Sequence, residues 1–151
     1  MKIEGEYRFS APREAVWNAL NDPDVLARTA PGLKQLTPAG DNTFDAIIEL
    51  AVGPVKGSYQ GKVRITDQTP PERMTIVVEG GGRAGSIKAS GTLTLQDEGS
   101  ATTVHYVGDI QVTGTLMSIG HRLIPGVAKQ LTGEFFKAIE REVSKRGQTA
   151  R

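Results

Sequence analysis

The chain has 151 residues, 38% of them hydrophobic and 23% charged, with a formal net charge of +1, the balance of one globular domain able to bury a core. The absence of cysteine excludes disulfides, thiolate zinc sites and cysteine nucleophiles. So small a cationic excess, with only 5% aromatic residues, argues against a nucleic-acid partner, which calls for a basic surface or stacking rings.

Met1–Ser10 has no apolar stretch of the secretory-signal kind. Lys2–Phe9 instead alternates, with Ile3, Tyr7 and Phe9 as apolar members, and predicts a first strand. Ser10-Ala11-Pro12 opens a helix: Ser10 can cap it, and Pro12 suits a first turn, where its missing N–H costs nothing. Val16, Ala19 and Leu20 form its buried edge, with Trp17 alongside. Asp22-Pro23 restarts a second short helix to about Arg28, and Pro31-Gly32 ends it. Leu33–Leu36 reads as a short strand and Gly40-Asp41-Asn42 as a turn. Phe44, Ala46, Ile48, Leu50 and Val52 then share one face, and Gly53-Pro54 turns the chain. Val55, Gly57, Tyr59, Gly61, Val63 and Ile65 face one way, with Lys56, Ser58, Gln60, Lys62, Arg64 and Thr66 opposite. After a turn at Thr69–Glu72, Met74, Ile76 and Val78 mark an inner face ended by Gly80-Gly81-Gly82, read as a flexible hairpin turn. Ile87, Ala89, Gly91, Leu93 and Leu95 mark the next, and Val104, Tyr106, Gly108, Ile110 and Val112 the last.

The chain closes on a long helical pattern. Leu116, Ile119, Leu123, Val127, Leu131, Phe135, Ile139 and Val143 recur every three or four residues, one apolar stripe along one helix face. Pro125 interrupts it, so either the helix is kinked there or a short turn precedes a helix that starts near Pro125; the unbroken spacing favours the kink. Arg122, Lys129, Lys137, Arg141, Lys145 and Arg146, mixed with Glu134, Glu140 and Glu142, read as a solvated face rather than a docking surface for anionic lipid. Gly147–Arg151 reads as a frayed tail. No apolar run approaches the ~18 residues of a spanning helix. One strand, two helices, six strands and a long helix predict a single α+β domain over residues 1–146. Its curved antiparallel sheet, of about seven strands and largely a meander, wraps a long C-terminal helix.

If sheet and helix stripe do not meet tightly, an apolar cavity remains between them. Gly57, Gly61, Ala89, Gly91 and Gly108 on the inner faces either let the strands bend or leave room for a ligand, and the two are compatible. Tyr59 and Tyr106 are either core residues with a bonded hydroxyl or contacts that orient a polar group of a ligand. Catalytic groups are scarce. His105 falls on an outer face and His121 off the stripe; Asp67, Glu72, Asp97, Glu98 and Asp109 sit in turns or face outward, as does Glu49. No metal pair, serine–histidine arrangement or buried acid–base pair is indicated. The glycine triplet lacks the lysine and hydroxyl residue of a phosphate loop. The expected lining is Phe44, Ile48, Tyr59, Val63, Met74, Ile87, Ala89, Tyr106, Ile119, Leu123 and Val127, with no catalytic residue, metal or cofactor.

Several stretches carry a family resemblance: Met1–Glu6, Ala11–Pro23 with its Val16-Trp17, Pro31-Gly32, Val52-Gly53-Pro54-Val55-Lys56-Gly57, Gly61-Lys62-Val63, Gly85–Gly91, and Arg122-Leu123-Ile124 through Phe135-Phe136. Across about residues 1–146 the chain resembles the carbon monoxide dehydrogenase G-subunit family, within the START-related (SRPBCC) superfamily of helix-grip folds. The resemblance implies a non-catalytic accessory protein of an aerobic carbon monoxide dehydrogenase or related molybdenum hydroxylase. It also implies a lipophilic ligand, a quinone or lipid, and a cytoplasmic location with peripheral contact at the inner face of the membrane. Many members carry a long C-terminal extension with a membrane-binding end; this sequence runs to Arg151 without such a stretch. Two other readings stay open: a cyclase or dehydratase acting on polyketides, as in other members of the superfamily, which would need an acid or base in the cavity, and an assembly factor with a filled core.

Overall fold

A computed structural model describes residues 1–51 and 53–149, apart from the side chains of 54, 119–121 and 145–149. The period-two segments form strands β1 (Lys2–Phe9), β2 (Leu33–Gly40), β3 (Thr43–Leu50), β4 (Gly57–Thr69), β5 (Arg73–Gly82), β6 (Gly85–Asp97) and β7 (Thr102–Val112). Helices α1 (Arg13–Leu20) and α2 (Pro23–Thr29) follow β1, a 3₁₀ turn (Gly53–Val55) precedes β4, and α3 (Leu116–Thr149) ends the molecule. The strands make one antiparallel sheet in the order β1-β7-β6-β5-β4-β3-β2. β2 to β7 are a plain meander, and β1 lies beside β7 with Ile3 opposite Gly108 and Gly5 opposite Tyr106.

The sheet curves, and the residues that permit this are identifiable. Register shifts interrupt the β2–β3 and β4–β5 ladders, the second next to Asp67 at φ +51°, and such bulges bend the strand that carries them. The glycine triplet is a correction to the sequence reading: Gly80–Gly82 are the last residues of β5, paired with β4 and β6, and the turn is Arg83-Ala84. Backbones crowd together there. A Cβ on Gly82 would fall 2.3 Å from the carbonyl oxygen of Ser58, and one on Gly61 would fall 1.7 Å from that of Glu79. These glycines serve close approach within a strand, not a flexible loop.

Other boundaries shift for local reasons. Pro12, not Ser10, is the N-cap of α1, which has no side-chain cap; the Ser10 N–H instead donates to Glu140 Oε1 on α3 at 3.2 Å. Asp22 caps α2, accepting from the Asp24 N–H at 2.9 Å. β2 extends past Leu36 to Gly40, where Pro38 is tolerated on an edge strand. α3 continues through Pro125 with no new start there. Of the tail expected at 147–151, α3 takes in 147–149 and 150–151 lie outside the described residues, as does Val52.

α3 lies across the concave face and packs chiefly on α1, α2, β1, β7 and the 3₁₀ turn. Two apolar zones result. At one end α1 and α2 fill the hollow: Phe9, Val16, Leu20, Val25, Met74, Leu95 and Val104 meet Phe136, Ile139 and Val143 of α3. Phe9 and Phe136 meet edge-on at 5.8 Å. At the other end Val55 of the 3₁₀ turn, Tyr59 and Ile110 pack on Leu116 and Ile124 of α3.

Candidate functional site: an apolar cavity between sheet and helix

Between the two zones sheet and helix stand apart and enclose a partly open cavity of about 380 Å³. Its floor is the inner face of the sheet, with Ile3 of β1 and Leu36 of β2 at its edges, and its roof the middle of α3, where Val127, Leu131 and Phe135 look onto it. Alternation put apolar side chains on that floor, and α1 and α2 are too short to reach across it. Gly91 shows the same gap: paired with Ile76 and Gly108, it lines the cavity, and a Cβ there would meet no atom within 4 Å.

Seven of the residues expected to line the cavity do line it: Ile48, Tyr59, Val63, Ile87, Ala89, Tyr106 and Val127. Three do not. Phe44 is buried at the hairpin end of β3, beyond the cavity wall. Met74 belongs to the filled zone, where Asn21 at the end of α1 donates to its sulfur at 3.5 Å; the α1–α2 corner covers that end of the sheet, which alternation alone does not reveal. Leu123 is 54% exposed on the outside of α3, and its neighbour Ile124, 5% exposed, turns inward. The side chain of Ile119 lies outside the described residues, as does that of His121.

The sequence reading missed the corner formed by Leu26, Pro31 and Leu33, which closes one side; Leu50 and Val55, already on inner faces, close another. No periodicity marks a corner as a wall. Ile76 and Val78 also line the cavity; their inward phase was already visible. So was that of Leu131 and Phe135 on the helix stripe.

Most polar side chains along the wall are already engaged. Tyr59 donates its hydroxyl to the Val55 carbonyl at 2.8 Å, and burial raises its pKa. Tyr106 lays its ring over Gly5 of the edge strand, so that a Cβ there would sit 2.5 Å from the hydroxyl oxygen. Thr132 donates back to the Ala128 carbonyl at 2.8 Å, and Asp109 meets the N-terminal ammonium at 3.2 Å. One buried carboxylate oxygen, Glu140 Oε2, lacks a partner, but Glu140 is not a wall residue. It acts on Tyr7 instead, whose pKa is raised by burial and then by the Glu140 charge. His105 is on the convex face, 3.1 Å from Glu6. Among the described residues no group of three histidines or carboxylates could hold a metal ion, and no helix is long and apolar enough to cross a membrane.

The family model for the G subunit of carbon monoxide dehydrogenase (CoxG) matches residues 5–144. The crystal structure of a conserved protein from Geobacillus kaustophilus superposes with a TM-score of 0.92 at 32% identity, over 96% of each chain. A START superfamily protein from Mycobacterium smegmatis gives 0.75 at 12% identity, over 95% of this chain and 97% of that one. The Zhui aromatase/cyclase from Streptomyces sp. R1128 gives 0.73 at 13%, over 99% and 97%. The last two share the fold alone. No curated protein matches the chain.

Proposed function

The chain belongs to the carbon monoxide dehydrogenase G-subunit (CoxG) family, and from that premise we propose that it is a non-catalytic accessory protein holding a lipophilic molecule between sheet and helix. The molecule is a quinone or lipid, and the client is a carbon monoxide dehydrogenase or related molybdenum hydroxylase. The protein works in the cytoplasm, in peripheral contact with the membrane. One observation carries the reading: a cavity of about 380 Å³ with an apolar wall, in a protein otherwise packed at both ends of the same sheet. Affinity would come from apolar surface leaving water, at roughly 25 cal/mol per Å².

Gly91 supplies the test. Its backbone is not in the left-handed region, and a side chain there would enter open space. Gly91→Leu is expected to fold and to melt no lower than the parent, because it fills a void within a strand. It is also expected to lose at least tenfold in affinity for an apolar fluorescent probe, and mass spectrometry is expected to find a lipid or quinone in organic extracts of the parent and not of the variant. Unchanged probe binding by a folded Gly91→Leu would sink the cavity as the binding site.

The fold shared with an aromatase/cyclase supports a second reading, in which the cavity is an active site. That chemistry needs an acid or base at the substrate. The tyrosine hydroxyls at the wall are occupied or turned to the edge strand, which is why we place binding first.

A further inference from the structure

We propose that the cavity recognises a hydrocarbon chain and is indifferent to the polar group the chain carries, so that the head of an amphiphile stays outside the wall. This rests on the binding reading above and names the part of the ligand that is read. A site that selects a head group needs polar atoms aimed into it and unpaired before the ligand arrives. Here the polar side chains of the wall, the Tyr106 hydroxyl apart, are spoken for. The Tyr59 hydroxyl is committed to the Val55 carbonyl and that of Thr132 to Ala128. The Tyr106 hydroxyl makes no hydrogen bond among the described residues and lies against Gly5 of the edge strand. Asp109 is tied to the N-terminus. Ser90 has the opposite strand phase to Ala89 and Gly91, so its side chain leaves through the convex face. The floor between them includes Gly80, Gly91 and Gly108, whose backbone amides are used in pairing with neighbouring strands. A head group drawn in would give up its hydration and find at most the one Tyr106 hydroxyl, at a cost that a methylene does not bear.

The experiment is a titration of the full chain with straight-chain alcohols from octanol to dodecanol. Two companion sets are the methyl esters of matching length and a benzoquinone with and without a decyl tail. Each added methylene is expected to tighten binding about fourfold, the ~0.8 kcal/mol of a buried CH₂, until the cavity is full. Exchanging the head at constant chain length is expected to change affinity by less than one methylene does, and Tyr106→Phe is expected to leave that small ratio unchanged. The proposal is overturned, with the binding reading intact, if the tailless quinone binds as tightly as the tailed one. It is equally overturned if head exchange outweighs a methylene or Tyr106→Phe alters the ratio between heads. Failure of every compound to bind would overturn the binding reading itself.

Discussion

Leu123 and Ile124 show what a single residue's phase decides. Two routes join Leu116 to Val127 at helical spacing, one through Ile119 and Leu123, the other through Gly120 and Ile124. The first is more apolar and is the natural reading of the stripe; the structure takes Ile124 inward and leaves Leu123 half exposed. Ile124 packs with Leu116, Val55 and Tyr59. Ile124→Ala is therefore expected to cost about 2–5 kcal/mol, the range for a truncated core aliphatic, and Leu123→Ala less than about 0.5 kcal/mol. Urea unfolding of the two variants checks the pair, and equal losses would return Leu123 to the inner face. Met74 and Phe44 teach the same lesson on strands. Alternation placed both on the inner side, where they are, but could not tell the filled end of the hollow from the empty stretch.

At the scale of elements, the 3₁₀ turn Gly53–Val55 is held to β4 by one hydroxyl, since Tyr59 donates to the Val55 carbonyl while its ring packs under α3. That bond exists only while the phenol keeps its proton. Burial holds the Tyr59 pKa above its ordinary value of 10.0, and burial and Glu140 do the same for Tyr7. The folded state thus binds these protons more tightly than the unfolded chain. The stability they contribute is complete below the unfolded value and is lost as pH rises through the higher folded one. As pH rises above about 10 the urea midpoint is expected to fall, and Tyr59→Phe to lessen the slope of that fall. An identical slope in the variant would remove Tyr59 from the account. α3 shows the opposite balance between local and tertiary terms. Proline in a helix interior costs about 3 kcal/mol, yet α3 runs through Pro125, because burial of Ile124, Phe136, Ile139 and Val143 on both sides outweighs one missing backbone bond.

For the molecule as a whole, the cavity is stability left unclaimed. A wall without a partner loses the dispersion contacts that a packed core makes, and a guest that binds only the folded state restores them. A chained amphiphile at 100 times its dissociation constant is expected to stabilise the fold by about 2.7 kcal/mol. For a domain of this size that is roughly 5–11 °C in melting temperature. Thermal scans with and without decyl benzoquinone measure it, with Gly91→Leu as the comparison in which added compound gives no further rise. A rise of equal size in both proteins would place the guest elsewhere.

The sequence by itself determined the strands, their inner faces and the order of elements, because period-two and helical spacing are local properties that survive in one dimension, and its motifs carried the family resemblance. It determined seven wall residues by the same means. Only the tertiary structure decided that α1 and α2 fill one end, that the corner at Leu26, Pro31 and Leu33 closes another side, and that Ile124 rather than Leu123 turns inward. Those outcomes depend on which element lies across which stretch of sheet, and so on distances between residues far apart in the chain. A void is the extreme case: it is set by where side chains fail to meet, and no residue encodes it alone.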